Sequence, residues 1–328
     1  MTERVCKFIL LFAILSCPTA ICASMPVNLT RNGEKIEVSI GGHSFTTFHF
    51  DAAYAKPYLS PLRSAQGTIV TRGFPMITDI PGEDHDEPHQ RAMYFAHGDI
   101  NGYDFWGEAA FPRWSRHPVS MFGRTVFRRL DQVQEGPESG IVQAEFDLVT
   151  QDGRVIASEM QAYVFRGDER TRIIDCEFTI RADHGPVRMG DTKEGTFAIR
   201  VVKELDSPPG HMVNSNGAVG EKAVWGKRAD WVDFYGQVGG EEVGIALFDH
   251  PGNLRHPTCW HARHYGLLAA NPFGLKEFTH DHHQDGSYAI QSGDSLTLRY
   301  RVLIHHGDLE QAGVAEAYRQ YAGGPKEE

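Results

Sequence analysis

From residue 25 onward, apolar residues recur at every second position rather than every third or fourth, which restricts this chain to sheet. Ile36, Val38 and Ile40 point one way while Glu37 and Ser39 point the other. The same alternation runs through residues 141–149, 155–165, 172–181, 196–202, 243–248 and 295–304. Between these runs stand turn signals such as Asn32-Gly33, Asp152-Gly153, Gly167-Asp168 and Gly239-Gly240. The spacing predicts an all-β chain folded as a large antiparallel β-sandwich. One short C-terminal helix is expected, capped by Asp308 with Gln311 returning the contact, and with Ala312, Ala315, Tyr318 and Tyr321 on one face. Gly323-Gly324-Pro325 ends it.

Residues 1–23 read as an address. Arg4 and Lys7 precede the apolar run 8–15, and residues 18–23 are small and bend-prone, the order of a secretory signal cleaved near Ala23. A lipoprotein site at Cys17 is the weaker alternative, and the run is too short to span a bilayer. The expectation is an exported protein, periplasmic or extracellular, with residues 24–328 as a single β-sandwich domain and no membrane contact after cleavage. Cleavage would leave Cys176 and Cys259, either as a disulfide or as two buried thiols.

The 43 acidic residues outnumber the 32 basic ones, a balance of −11 that repels phosphate backbones and argues against a nucleic-acid partner. No P-loop, G-x-G-x-x-G, G-x-S-x-G or H-E-x-x-H motif is present, which disfavours nucleotide hydrolysis, nicotinamide chemistry, serine esterases and zincin proteases.

Three polar clusters remain. Residues 84–106 combine Asp84, Asp86, Glu87, His89, Gln90, Arg91, His97, Asp99 and Trp106 within the long irregular stretch 73–118, as expected of a functional loop system. Residues 249–273 hold Asp249, His256, Trp260, His261, Arg263, His264 and Asn271, and residues 280–283 read His-Asp-His-His. Nine of the 17 histidines fall between 250 and 306, too many for scattered decoration. On a strand His280 and His282 would share a face, so they, with His264, are the candidate metal ligands. The sequence requires no cofactor, but a divalent metal fits such a set. Glu194, in the turn 191–195, is a candidate general base.

The strings Thr71-Arg72-Gly73-Phe74-Pro75-Met76, His89-Gln90-Arg91, Phe95-Ala96-His97-Gly98-Asp99, Asn101-Gly102-Tyr103-Asp104-Phe105-Trp106, Trp260-His261-Ala262-Arg263 and Asn271-Pro272-Phe273-Gly274 carry a resemblance over most of the chain. Together they resemble the exported bacterial family labelled methane oxygenase PmoA. The membrane methane monooxygenase subunit of that name is a multi-helix membrane protein, so the label does not transfer as an activity. The resemblance implies a β-sandwich. More loosely, the layout is similar to galactose-mutarotase-like supersandwiches, in which a glutamate and histidines act on a sugar ring. His89-Gln90 departs from the paired histidines of that family.

The resulting expectation is a carbohydrate-active protein, an enzyme acting on a glycan or modified sugar. His97 and His261 would orient or move protons, with Asp99 and Glu194 as carboxylates. His89, Arg91, Arg263 and Asn271 would bind substrate, with Trp106 and Trp260 as stacking surfaces. The alternatives are a metal-dependent oxidase or oxygenase and a non-catalytic glycan-binding module.

Overall fold

The structure, a computed structural model, describes residues 23–114 and 117–323. Of the signal expected at residues 1–23, all but Ala23 lies outside them, as does the helix stop at Gly324-Pro325. The described residues form an all-β antiparallel sandwich of two eight-stranded sheets. The first runs in the order Val27–Asn32, Lys35–Ile40, His43–His49, Tyr58–Leu59, Met93–His97, Gly195–Arg200, Leu267–Asn271, Cys259–Ala262. The second runs His211–Asn214, Trp231–Val238, Glu241–Asp249, Ser295–His306, Thr171–Arg181, Val155–Gly167, Gly140–Thr150, Gly123–Gln134.

The alternation read from the sequence decides what lies between the sheets. Inward residues of both make one apolar core, joined by ring pairs such as Phe95–Phe178, stacked at 4.2 Å, and Phe197–Tyr300 at 5.2 Å. Cys176 and Cys259 are buried free thiols. The outer face of the second sheet is covered by the terminal helix, whose Val314 and Tyr318 pack on Trp231, Phe248 and Leu303. That helix spans Val314–Ala322 and starts later than expected, because Gly313 takes the left-handed φ of 64° that ends the preceding turn. Asp308 instead caps that earlier turn, accepting from the N–H groups of Glu310 and Gln311, and Ala315 faces solvent.

The outer face of the first sheet carries a smaller apolar patch of Tyr58, Tyr94, Ala96, Trp106, Ala198, Leu267 and Ala269. The irregular segment 50–114 folds over it. The stretch 73–118 expected as a loop system is not wholly a loop, since Met93–His97 within it is a strand in the middle of the sheet, and Tyr58–Leu59 earlier in the covering segment is its neighbour.

One polar row runs through the main core. Glu159, opposite Phe146 and Ile180, is 2% exposed and accepts a 2.6 Å hydrogen bond from Gln161, which in turn accepts from the Tyr163 hydroxyl. Burial raises the Glu159 carboxyl to about 8, so it is protonated at neutral pH. A folded-state pKa above the unfolded value makes its contribution complete below pH 4.5 and lost as pH rises through about 8. Chemical unfolding across that window is expected to show stability falling by up to about 1.4 kcal/mol per pH unit from this group. Glu159→Gln should flatten that decline; parallel pH profiles for the two proteins would contradict the assignment.

Candidate active site

Register places the site. His261 pairs with Ala269, Ala269 with Ala198 and Ala198 with Tyr94, so these four side chains form one row across the outer face of the first sheet. The two alanines leave space between an imidazole and a phenol. Above the row, residues 87–107 and the connection 192–194 complete a cavity of about 480 Å³, within the range of small-molecule sites. Its walls include Glu87, His89, Gln90, Trp106, Lys193, Glu194, His261, Arg263, Tyr265 and Glu277. The two histidine-bearing stretches, distant in sequence, therefore meet.

The roof over this face is held by buried charges. Arg72 and Arg200 are 2% exposed, and both donate to the Asp86 carboxylate. Arg72 also donates to the carbonyls of Glu87 and Gln90, and Arg200 to the Gln90 side chain at 2.6 Å. Burial, then the neighbouring Arg200 charge, pushes Arg72 down to about 10, which still leaves it charged. On the other flank Lys56, 1% exposed, donates to the Trp106 carbonyl at 2.5 Å and to Glu108 at 3.1 Å, and Arg91 forks onto the same Glu108 carboxylate. Gly98 allows the sheet to close on the 192–194 connection. Its N–H donates to the Glu194 carbonyl at 2.7 Å, and a Cβ there would meet the Glu194 Cβ at 2.9 Å.

Within the cavity the two central groups hold opposite states. Burial pushes His261 down to about 4, against the Glu194 charge that favours the imidazolium, so the ring is neutral at pH 7. Burial also opposes ionisation of Glu194, but the carboxyl is held below its usual range by His261 in its protonated form and by the Lys193 and Arg263 cations, of which only the two cations act once the ring is neutral. Glu194 is ion-paired to Lys193, while about a third of its side chain stays open to the cavity. His89 is held well below its ordinary value by burial and then by Lys56, and burial raises the Tyr265 phenol to about 12. Among the described residues, Nδ1 of His261 and Nε1 of Trp106 are buried without a hydrogen-bond partner. Unpaired buried donors or acceptors at a cavity mark where a polar ligand or water is accommodated.

The cavity thus collects His89, Trp106, Glu194, His261 and Arg263 from the expected set, and leaves the others elsewhere. His97 falls on the inward parity of its strand, with Nε2 2.9 Å from the Gly190 carbonyl and its ring against Phe273. Trp260 is inward for the same reason, fully buried, donating to the Ala229 carbonyl. Asp99 accepts from the Gly102 N–H and pairs with Arg188 outside the cavity. Arg91 is engaged by Glu108 and stacked over Tyr54. Asn271 donates to the Thr192 carbonyl, so it supports the Glu194 connection from outside the cavity. Trp106 offers no open ring face, being 2% exposed and packed against Tyr94. Tyr265 is the more exposed aromatic of the lining.

The candidate metal ligands do not converge. Residues 275–279 are helical, so His280 and His282 do not share a strand face; His280 caps the helix at a left-handed φ of 55° and stacks on Trp225. His264 is bound to Glu221. Among the described residues no three His, Cys, Asp or Glu side chains come together as a metal site. Sequence reasoning passed over Gln90 and Tyr265, which lie inside the clusters it singled out, and over Lys56, Glu108 and Arg200, which carry no local signal.

These features define an antiparallel β-sandwich protein with a charged, partly enclosed cavity on the outer face of one sheet. The chain belongs to a family of unknown function, DUF6807, whose model matches residues 35–319. No curated protein matches it. Among solved structures it is similar to a galactose mutarotase-like protein from Clostridium acetobutylicum, with a TM-score of 0.41 and 9% identity over 86% of this chain and 99% of that one. It is also similar to the GH36 alpha-galactosidase AgaB from Geobacillus stearothermophilus, with a TM-score of 0.45 and 10% identity over 90% of this chain but 43% of the galactosidase. A third is a galactose mutarotase-like protein from Lactobacillus casei, at 0.35 and 9%, covering 85% of this chain and 100% of that one.

Removing one partner of a buried ion cluster leaves uncompensated charge. Glu108→Ala, which strands Lys56 and Arg91, is expected to cost about 3–5 kcal/mol in denaturant unfolding. A loss below about 1 kcal/mol, the range of an exposed pair, would show that the cluster does not hold the roof.

Proposed function

We propose that this chain is an exported carbohydrate-active enzyme that binds a sugar in the cavity and moves a proton at one of its hydroxyls through Glu194 and His261. The observation that carries the reading is the pairing of an ionised carboxylate with a neutral imidazole among unpartnered buried polar atoms. A carboxylate held ionised accepts a hydroxyl proton, and the neutral His261 ring, whose N–H is taken up by the Lys193 backbone, offers its free Nδ1 as an acceptor that orients a second hydroxyl. Gln90, Tyr265 and Arg263 supply further hydrogen-bonding groups for a polyhydroxylated ligand, as does the indole N–H of Trp106. Export is supported by the order of charged, apolar and small residues over 4–23. An oxygenase in the sense of the PmoA label would need several ligands converging on a metal, and among the described residues no such group of three comes together.

The test is a panel of free aldoses and nitrophenyl glycosides, followed by NMR for binding and for product. Wild-type protein is expected to convert at least one member. Glu194→Gln should lower kcat by about 100- to 10,000-fold with KM little changed. Because His261 stays neutral down to about 4, the rate should show no inflection near 6.5. Binding without conversion would make the chain a glycan-binding module; absence of binding by every sugar would overturn the reading.

A further inference from the structure

Glu87 is a carboxyl of the cavity to which the chemistry above gives no part. It stands on the roof segment that Arg72 and Arg200 clamp to the sheet. Its backbone is left-handed, φ 41°, and its carbonyl accepts from Arg72 Nη2 and from the Gln90 N–H, each at 2.9 Å. The side chain is 29% exposed and lines the same cavity as Glu194, from a separate loop. The His89 imidazole stands beside its carboxyl, with Nε2 3.5 Å from Oε2. Among the described residues no Lys or Arg pairs with it. The unpartnered His261 Nδ1 and Trp106 Nε1, both 2% exposed, lie in the same lining.

The surroundings divide the two carboxyls. Burial, then the charges of Glu194 and Asp86, push Glu87 above its usual range, against the more distant pull of Arg200 and Lys193. His89, held neutral, adds no positive charge to oppose this. Glu194 is pulled the other way by the Lys193 and Arg263 cations, and by His261 only where that ring is protonated. Two titratable groups in one cavity whose environments drive them apart are the arrangement that assigns an acid and a base.

We propose that Glu87 is the proton donor of this site and works with Glu194 as proton acceptor in the hydrolysis of a glycosidic bond. The proposal rests on the sugar-binding reading above and names its reaction. The Glu87 O–H gives its proton to the glycosidic oxygen as the bond from that oxygen to the anomeric carbon breaks and its electron pair stays on the oxygen. Glu194 takes a proton from a water molecule whose oxygen forms the new bond to the anomeric carbon. Glycoside and water become sugar and alcohol. Glu87 is left ionised and Glu194 protonated, and exchange with solvent restores both.

The first test needs no substrate. A carbon-detected NMR titration of glutamate side chains, assigned with Glu87→Gln, should show the Glu87 carboxyl titrating above 4.5, and Glu194→Gln should move it back toward that value. A Glu87 carboxyl titrating at or below 4.5 overturns the donor assignment whatever the substrate. The second test compares nitrophenyl and alkyl glycosides of one sugar. Glu87→Gln, checked by an unchanged melting temperature and retained sugar binding, should lose about 100-fold or more on the alkyl glycoside and far less on the nitrophenyl one, whose leaving group needs no proton. It should also lose the alkaline limb of the pH profile. Equal losses on both glycosides, or sugar binding with no glycoside hydrolysed by wild type, overturn the assignment and leave the binding reading standing. Failure of every sugar to bind overturns both.

Discussion

A β-sheet has two faces, and the inter-sheet core accounts for only one face of the first sheet. The other must be covered, and here the cover is the irregular segment 50–114 rather than a helix or a third layer. Irregular backbone over a sheet has few partners of its own, so its polar groups need compensation from side chains. Arg72 and Arg200 supply it on one flank through Asp86, Glu87 and Gln90, and Lys56 with Arg91 and Glu108 supply it on the other. Taking such charges out of water costs several kcal/mol per ion unless they are paired. The roof therefore keeps its geometry only while those pairs are made, and the cavity walls are set by the same pairs.

That geometry produces the electrostatics. His261 is neutral because the roof excludes water from it, and Glu194 is ionised because the Lys193 and Arg263 cations stand beside it. The phenols of Tyr94 and Tyr265, both pushed up by burial, remain protonated hydrogen-bonding groups at neutral pH. The outcome is a cavity with mixed proton donors and acceptors and little mobile charge, suited to a hydroxyl-rich ligand. Apolar floor positions at Ala198 and Ala269 leave room for that ligand instead of filling it.

Much of the fold was legible because period-two alternation is a direct image of the pleat. Strands such as Arg172 to Arg181 announce themselves by inward Ile174, Cys176, Phe178 and Ile180. The strand Gly123–Gln134 did not, because it lies at a sheet edge and is dominated by charged and amide residues that need no burial. The site was legible in part. The residue clusters around 84–106 and 260–265 do face each other, but choosing among their members required parity. His261 and Trp260 are adjacent and point to opposite faces, as do Ala96 and His97, so the face seen by a ligand could not be read until the partner strands were known. Lys56 sits in an ordinary stretch before a proline, and only the folded chain shows that it lies under Trp106.

The central claim is that the ligand surface is the outer face of the first sheet, over His261 and Glu194. The most direct measurement is fluorine NMR of the protein labelled with 5-fluorotryptophan, each of the five signals being assigned by substitution, while a bound sugar is titrated in. The account predicts that the Trp106 signal moves with saturation while the Trp260 signal, in the inter-sheet core, stays fixed. Movement of Trp231 on the second sheet with Trp106 unchanged would place the ligand elsewhere and contradict the account.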